Sequence, residues 1–536
     1  MPRGKKDPVP ALPSRVARII ARFIQEENSR DIHDGEGPSR VAGSGSMDAD
    51  DIQRAHPTGQ LFQLFRREVR FLSRSALYLT HGASVAYNRH TMETIGFPRG
   101  FLWGAASAAY QIEGSPLADG AGPTNWHEFT HRRGTIKDGT TGDLACDHYH
   151  RYEEDIRHLR DLGVHAYRFS VGWGRVFPRP GNINQAGIDF YNRLVDCVCG
   201  AGIEPWLTIF HLEEPLWLSR LGGFTNRAAV DHLAELGETL FKVLGDRVRN
   251  WITINEPTVY AYLGYGTGEF PPGRKLALRG MLHASHHLLL GHARLVDAWS
   301  ATGRPGRIGL AHHAVWVSPA DENRARDVEA AAFMDDAANR SVLDPLLRGS
   351  YPERMLKRLH RFLPRTLEAD LPGIKKPGTY IGINYYARNL YRWARFVPFL
   401  HAREHVKPDS PRSAMWEIYP QGLRATLLRL KEQYGNFPCV VTENGFPIVE
   451  SSGKDPLQDD ERIAYLADHV AMVGRAIAEG ADCRGYFHWS LMDNFEWNWG
   501  LSMRFGLVRI DFTTQQRQWK KSAFWYRDVI RANGLR

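Results

Sequence analysis

Residues 250–257 have the sequence NWITINEP, a run of apolar and β-branched residues that ends in a glutamate and a proline. Residues 438–445, PCVVTENG, repeat this arrangement with a glutamate ahead of Asn-Gly. Short apolar runs bounded by turn residues predict buried strands, so we expect Glu256 and Glu443 each at the carboxyl end of a strand. In an α/β barrel catalytic groups collect at that edge, and two carboxyls that face one cavity are typical of glycosidic bond cleavage.

Similar β-rich runs recur along the chain from Phe97 onward, with helical patterns between them. The predicted strands lie near residues 101–106, 166–171, 204–210, 250–255, 307–313, 379–386, 438–443 and 484–490. Eight strands that alternate with helices predict the α/β class and a parallel (β/α)8 TIM barrel. A doubly wound open sheet is the alternative on pattern alone, although no GxGxxG or P-loop sequence follows an early strand.

The amino-terminal part of this 536-residue chain differs from the rest in composition. Residues 27–60 are rich in Gly, Ser, Asp and Pro, the composition of a linker that does not bury a core. Residues 16–23 and 61–79 place apolar residues at helical spacing beside arginines, a pattern typical of interfacial or partner-binding helices, although a solvated extension fits it too. We therefore predict a basic, partly disordered, largely non-globular extension with amphipathic helices over residues 1–95 and the barrel over residues 96–536.

Composition argues against several classes of protein. The net charge of +8 is spread along the chain without an RNP, helix-turn-helix or zinc-finger sequence, so we do not expect nucleic-acid binding. No run of 18 uncharged apolar residues occurs, and arginines interrupt the apolar residues near Met1. We therefore expect neither a membrane-spanning helix nor a secretory signal, and predict a cytoplasmic protein. The five cysteines are sparsely placed, which favours reduced thiols.

The histidine pairs of the sequence do not predict a metal site. His286-His287 and His312-His313 are neighbours, but adjacent side chains point in different directions on a helix or a strand. Neither pair has a cysteine or a carboxylate at ligand spacing. Cleavage by two carboxyls needs no metal and no cofactor, so we expect neither.

Several longer motifs occur in a fixed order along the chain. They are residues 101–114 (FLWGAASAAYQIEG), 167–170 (YRFS), 253–257 (TINEP), 384–386 (NYY), 442–445 (TENG) and 489–497 (WSLMDNFEW). Each motif alone is weakly specific, but together and in this order they are highly specific, and over residues 96–530 the chain resembles glycoside hydrolase family 1, the β-glucosidase family. The resemblance implies a retaining exo-β-glycosidase that hydrolyses terminal β-D-glucosyl or related residues from O-glycosides through a covalent glycosyl-enzyme intermediate.

The catalytic residues of that family match four positions of this chain. The resemblance makes Glu256 the acid/base and Glu443 the nucleophile, two carboxyls that a retaining enzyme needs about 5 Å apart. Arg168 matches the arginine that contacts the nucleophile, where its fixed charge would keep the carboxyl ionised. Tyr386 matches the tyrosine that hydrogen-bonds the nucleophile, with a barrel-filling aromatic as the alternative.

A second group of matches concerns the non-reducing sugar. By resemblance the residues that hold it are Gln111, His211, Asn255, Glu496 and Trp497, with Trp489 as its stacking surface. Glu496 stands where members that act on 6-phosphorylated sugars have a serine, which favours neutral sugars, and Glu256 in place of glutamine favours O-glycosides over thioglycosides. One departure is residues 211–215, HLEEP where the family usually has HWDLP, which removes a tryptophan and adds charge.

Two other functions are compatible with the same motifs. A transglycosylase would use the same carboxyls but pass the sugar to an alcohol or glycolipid acceptor in place of water. A sugar-binding, membrane-associated protein would keep the fold and contact a membrane surface through the amino-terminal extension. The intact Glu256, Glu443 and Arg168 favour catalysis on a small-molecule β-glycoside substrate. The sequence predicts no particular oligomeric state.

Overall fold

The computed structural model describes residues 94–397, 399–450 and 453–536. The predicted amino-terminal extension with its amphipathic helices lies outside these residues, apart from residues 94 and 95. Ile95–Gly96 pairs antiparallel with Gly534–Leu535, which joins the start of the described part to the end of the chain. The division of the chain at residue 95 stays a prediction.

Eight parallel strands close into a barrel. They are β1 (Leu102–Ala106), β2 (Ala166–Ser170), β3 (Glu204–Phe210), β4 (Asn250–Asn255), β5 (Arg307–Pro319), β6 (Tyr380–Trp393), β7 (Cys439–Asn444) and β8 (Cys483–Trp489). Each strand pairs in parallel with the next, and β8 pairs with β1, with Gly485 opposite Leu102, so the sheet has no open edge. The predicted (β/α)8 barrel is confirmed, and the alternative of a doubly wound open sheet is wrong.

Strands β5 and β6 extend beyond their predicted ends at residues 313 and 386. The two strands keep pairing with each other past the barrel, as far as Pro319 opposite Tyr391. The outer part of β6 also pairs antiparallel with Ala402–His405. The residues beyond the predicted ends remain in strands because the backbone of the neighbouring strand satisfies their hydrogen bonds. This pairing is a tertiary contact, so the periodicity of the local sequence does not predict it.

A helix follows each strand along the chain. These helices are α1 (His148–Leu162), α2 (Gln185–Gly200), α3 (Ala229–Leu244), α4 (Leu278–Ala301), α5 (Ala325–Asp335), α6 (Pro420–Gln433), α7 (Asp460–Ala478) and α8 (Lys521–Ala532). In α3, Val230, Leu233, Leu240 and Leu244 are buried on one face while Glu238 is exposed, so burial of an apolar stripe attaches the helix to the barrel. Among the described helices, none combines the length and the apolar character that crossing a membrane requires.

Shorter elements lie in the connections. The short helices are Ala109–Ile112, Asn125–Thr130, Trp173–Val176, Leu216–Arg220, Pro257–Ala261, Ser341–Leu347, Glu353–Leu359 and Leu367–Ile374. The 3₁₀ turns are Ala118–Gly120, Gly223–Thr225, His360–Phe362 and Trp497–Trp499, and Tyr262–Thr267 and Asp336–Arg340 are π-helical. Short antiparallel pairs join Ile448–Val449 to Met503–Arg504 and Val508–Ile510 to Arg517–Trp519.

Large aromatic side chains fill the interior of the barrel. The ring of Trp206 on β3 contacts Tyr380 on β6 and Phe487 on β8, with centroids 5.3 and 5.2 Å apart. Gly104 on β1 makes room for this packing, because a Cβ there would lie 2.4 Å from the Phe487 ring. The interior is thus a packed core, and the carboxyl-terminal end of the barrel is where a substrate can bind.

Candidate active site

Glu443 lies near the carboxyl end of β7, where two side chains hold its carboxylate. Arg168 Nη1 donates to Oε1 at 2.5 Å, and Tyr386 OH donates to Oε2 at 2.7 Å. Each carboxylate oxygen therefore has a fixed donor, and hydrogen bonds to the charged form favour ionisation. Gly445 follows two residues later, where a Cβ would lie 1.8 Å from the Trp489 carbonyl oxygen, so only glycine allows β7 and β8 to approach this closely.

Arg168 is fully buried and links several strands of the barrel. Besides Glu443, its guanidinium donates to Asn255 Oδ1 at 2.6 Å, Thr208 Oγ1 at 3.2 Å and the Thr442 carbonyl at 3.0 Å. A buried charge is stable only where it is paired and fully hydrogen-bonded, because its desolvation is costly. The arginine therefore fixes the positions of Asn255 and Glu443 relative to each other.

Glu256 directly follows β4 and has a backbone φ of 48°. Non-glycine residues seldom occupy this left-handed region, and such strain clusters at functional sites. The side chain lies against β5 and β6, where Asn384 Nδ2 donates to Oε1 at 2.8 Å and His313 Nδ1 donates to the same oxygen at 3.2 Å. Glu256 therefore differs from Glu443 in having an amide and an imidazole as its direct partners, in place of a guanidinium and a phenol.

The two carboxyls influence each other's ionisation. Burial raises the pKa of Glu443 to about 7, opposed by Arg168 and reinforced by the charge of Glu256. Burial also raises the pKa of Glu256, but His313 and Asn384 together outweigh it, so that pKa lies below the usual value. Burial lowers the pKa of His313, and Glu256 more than compensates, so that pKa lies above the usual value. Because the two carboxyls and His313 are coupled, these pKa shifts belong to the set and not to single residues, and the first catalytic step requires the proton that the two carboxyls share to lie on Glu256.

The aromatic side of the site is built from His211, Trp489 and Trp497. The imidazole ring of His211 stacks on both indoles, with centroids 5.8 Å from Trp489 and 6.0 Å from Trp497. Trp126 supports this group from behind, with its ring 4.6 Å from that of Trp497 and its Nε1 donating to the Leu212 carbonyl at 3.1 Å. These flat apolar faces suit the face of a sugar ring.

The polar side of the site contains Gln111, Glu496 and Asn255. Gln111 Nε2 donates to Glu496 Oε2 at 3.3 Å, and Asn255 Nδ2 donates to His211 Nε2 at 3.1 Å. Gln111 Oε1 and His211 Nδ1 are buried and have no hydrogen-bond partner among the described residues, as expected of groups that bind hydroxyls of a ligand. Burial, reinforced by the charge of Glu443, raises the pKa of Glu496 to about 8, so this carboxyl can also donate a hydrogen bond at neutral pH.

The structure thus places all ten predicted site residues at the carboxyl-terminal end of the barrel, linked by the contacts above. These residues are Gln111, Arg168, His211, Asn255, Glu256, Tyr386, Glu443, Trp489, Glu496 and Trp497. Their individual roles stay predictions. The sequence motifs did not single out Asn384 or His313 as partners of Glu256. His313 on β5 and Asn384 on β6 lie opposite each other in the strand register. The only indication in the sequence was that residue 313 ends a predicted strand, the position at which side chains of the site collect.

The two glutamates of the HLEEP departure are buried beside this site. Glu214 accepts a hydrogen bond from Tyr260 OH at 3.0 Å, and Glu213 is hydrogen-bonded to Thr124. Burial, reinforced by the charge of Glu113, raises the pKa of Glu213 to about 8. Burial likewise raises the pKa of Glu214 to about 7. The departure from the usual motif therefore adds one carboxyl, that of Glu214 in place of a leucine, while Glu213 stands in place of an aspartate, and both carboxyls retain protons close to neutral pH.

Replacing Glu213 with glutamine is expected to stabilise the protein more at pH 8 than at pH 5. The folded-state pKa of about 8 lies above the usual 4.5, so the wild type loses stability as the pH rises from the lower to the higher value. Glutamine stays neutral and avoids this loss, which we expect to be about 1 kcal/mol or more at pH 8. Thermal unfolding across this pH range tests it, with exposed Glu238→Gln as the control. A difference that does not change with pH would contradict the assignment.

Comparison with known protein families gives one match that spans the barrel. Residues 93–535 match the family described as glycosyl hydrolase family 1. The chain belongs to glycosyl hydrolase family 1. It is therefore a glycoside hydrolase, and the family expected from the motifs is confirmed.

Relatives of this family 1 chain cover nearly the whole of the same region. Beta-glucosidase A of Thermotoga maritima is 44% identical over 446 residues, which are 82% of this chain and 98% of the relative. A 1,4-beta-D-glucan glucohydrolase of Thermotoga neapolitana is also 44% identical over 446 residues, 82% of this chain and 99% of the relative. The solved structure of the Thermotoga maritima family 1 glycoside hydrolase complexed with a cyclophellitol analogue is similar with a TM-score of 0.80 and 43% identity, covering 83% of this chain and 100% of that chain.

Proposed function

We propose that this glycoside hydrolase is a retaining exo-β-glucosidase, which removes terminal β-D-glucosyl residues from O-glycosides. The observation that carries the proposal is the environment of Glu443, whose two carboxylate oxygens are held by Arg168 and Tyr386. A carboxylate fixed in this way suits attack on a sugar, whereas Glu256, beside His313, suits proton transfer. The two relatives are named as a beta-glucosidase and a glucan glucohydrolase, which supports glucose as the sugar.

In the first step, Glu443 attacks the anomeric carbon of the bound glycoside. A bond forms between one carboxylate oxygen and that carbon while the glycosidic carbon–oxygen bond breaks, and Glu256 gives its proton to the departing oxygen. Arg168 keeps the attacking carboxylate ionised and oriented until the bond forms. The leaving group departs as a neutral alcohol, and the sugar stays attached to Glu443 as an ester.

In the second step, water replaces the ester. Glu256, now ionised, takes a proton from a water molecule, whose oxygen attacks the anomeric carbon from the face that the leaving group vacated. The bond to Glu443 breaks and the carboxylate returns to its contacts with Arg168 and Tyr386. Two inversions at one carbon give net retention, so the first sugar product has the β configuration.

The polar and aromatic sides of the site, which flank the two carboxyls, recognise the sugar. Gln111, His211 and Glu496 offer oriented donors and acceptors for hydroxyls, and Trp489 offers its face to the sugar ring. Asn255, which Arg168 holds at 2.6 Å, is placed to contact the 2-hydroxyl, a bond that strengthens in the transition state. The filled barrel interior leaves no space for a second sugar beneath the first, which favours removal of terminal residues.

The test is hydrolysis of a panel of 4-nitrophenyl β-glycosides, with the product followed by NMR. We expect the highest kcat/KM for the β-glucoside and β-glucose as the first product. The α-glucoside serves as the stereochemical control and is expected to stay intact. An α-configured first product would overturn the retaining mechanism, and preference for another sugar would overturn the assignment of glucose.

His313→Asn is expected to move the alkaline limb of the kcat/KM profile to higher pH, by about 1 unit. Protonated His313 lowers the pKa of Glu256. Asparagine can still donate a hydrogen bond but carries no charge, so the pKa of Glu256 should rise and the acid should stay protonated to higher pH. Arg168 and Glu443, the other charged groups that act on the two carboxyls, stay in place. Exposed His150→Asn is the control, and an unshifted limb would contradict this coupling.

Three finer points stay predictions. Transfer of the sugar to an alcohol would appear in the same NMR assay as methyl β-glucoside when methanol is added. Contact of the amino-terminal extension with a membrane surface is tested by liposome co-sedimentation with and without residues 1–91, and the cytoplasmic location by fractionation of cells.

A further inference from the structure

Three potential metal ligands converge on the loops outside the catalytic site. They belong to His127, His131 and Asp143, each of which offers one ligand atom, and these three atoms lie within 4.8 Å of one another. His127 lies in the short helix Asn125–Thr130 and His131 directly follows it, so the two are four residues apart and share one face. Asp143 reaches them from the loop that leads into α1. This is the only such group among the residues that the structure describes.

The hydrogen bonds of this group leave the Nε2 lone pair of His131 directed at the carboxylate of Asp143. His131 Nδ1 donates to the His127 carbonyl at 2.7 Å, which assigns the proton of the neutral ring to Nδ1 and the lone pair to Nε2. That Nε2 lies 3.0 Å from Asp143 Oδ2. His127 Nδ1 lies 3.4 Å from Asp143 Oδ1 and is buried without a hydrogen-bond partner. A carboxylate and two imidazole nitrogens at these distances need a cation or an additional proton among them.

We propose that His127, His131 and Asp143 bind a divalent cation of the zinc class. Zinc accepts imidazole nitrogen and carboxylate oxygen at about 2.0–2.2 Å, and two ligands of a tetrahedral ion are then about 3.3 Å apart. The observed separations, 3.0 Å from His131 Nε2 to Asp143 Oδ2 and 3.4 Å from His127 Nδ1 to Asp143 Oδ1, are close to that value. The backbone carbonyl that accepts from His131 Nδ1 is the kind of partner that orients metal-bound histidines. Imidazole ligands disfavour calcium and magnesium, which prefer oxygen.

The position of the group suggests a structural role for the ion. His131 and Asp143 are 45% and 44% exposed, so an ion can enter and solvent can supply the fourth ligand. Trp126, the neighbour of His127, packs on Trp497 of the aromatic side of the catalytic site. A bound ion would therefore join the loop that contains Asp143 to the helix Asn125–Thr130, which supports the aromatic side of the catalytic site. It takes no part in the two catalytic steps.

The experiment is a calorimetric titration of the chelator-stripped full-length protein with Zn²⁺ alone, repeated for His131→Gln and Asp143→Asn. The chain has 23 histidines, and some of them can bind zinc elsewhere. The decisive quantity is therefore the difference in bound zinc between the wild type and each variant. We expect one zinc equivalent that each variant loses. His150→Gln is the matched control, because His150 contacts Asp147 at 2.6 Å and no third ligand joins them in the described part of the chain, so this variant should keep the zinc equivalent.

Co²⁺ gives an independent readout. Bound at the proposed site, it should show visible absorption bands of a four-coordinate ion, and these should be absent from both variants. If one variant fails to fold, the other decides, together with the cobalt spectrum of the wild type. Equal zinc binding by the wild type and the folded variants, or no binding at all, would overturn the proposal and leave only the hydrogen bond between His131 and Asp143.

Discussion

Glu443→Ala should lower kcat for 2,4-dinitrophenyl β-glucoside by roughly 10⁴-fold or more. The variant lacks the oxygen that attacks the anomeric carbon, and a good leaving group does not replace a nucleophile. Arg168 and Tyr386 stay in place around the truncated side chain. Stopped assays at high enzyme concentration measure the residual rate, with circular dichroism as the check on folding.

Azide gives this first prediction its sharpest test. A small anion fits the space left by the side chain, next to the guanidinium of Arg168, and can attack the sugar directly. One displacement inverts the anomeric carbon, so the expected product is α-glucosyl azide. Glu443→Gln keeps the side-chain volume and is expected to show little rescue. Near-normal activity of the alanine variant, or a β-configured azide, would contradict a nucleophilic role for Glu443.

Glu256→Ala should separate substrates by the quality of their leaving groups. Hydrolysis of alkyl β-glucosides or cellobiose, whose leaving oxygen needs a proton, should fall by about 10³–10⁴-fold. The first step with 2,4-dinitrophenyl β-glucoside should be much less affected, because that leaving group departs without a proton. The second step still lacks its base, so KM should fall together with kcat as the glycosyl-enzyme accumulates.

Azide again distinguishes the mechanism of this second variant. It attacks the glycosyl-enzyme without needing a base, so the rate should rise and the product should be β-glucosyl azide, opposite in configuration to that from Glu443→Ala. Glu213→Gln removes a different buried carboxyl and should keep wild-type kinetics. An equal loss on all substrates would indicate that Glu256 is structural and not the acid/base.

The local sequence was sufficient to predict the strands that carry the two carboxyls. Residues 250–255 and 438–443 were predicted as strands because they are short apolar runs that end at turn residues, and the observed strands, Asn250–Asn255 and Cys439–Asn444, differ from them by at most one residue at each end. Closure of the barrel depends on β8 pairing with β1 across almost the whole chain, which no local pattern contains. The closed barrel was predicted from the number of strands and their alternation with helices, supported by the family motifs.

The partners of Glu256 were harder to predict, because they depend on register between strands. His313 and Asn384 face each other only because β5 and β6 pair at that register, and a shift of one residue would turn both side chains away. Loops are harder still. The meeting of Asp143 with His131 depends on the path of an irregular segment, for which the sequence has no periodic signal.

The packing of Trp206, Tyr380 and Phe487 across the barrel makes the active site a dead end and not a tunnel. Substrate and both products therefore share one opening among the loops. In the proposed mechanism the leaving group lies nearer that opening and departs first, and the sugar departs last. We therefore expect free sugar in solution to re-enter by the same route and to compete with the next substrate, so that the accumulated end product would slow the enzyme.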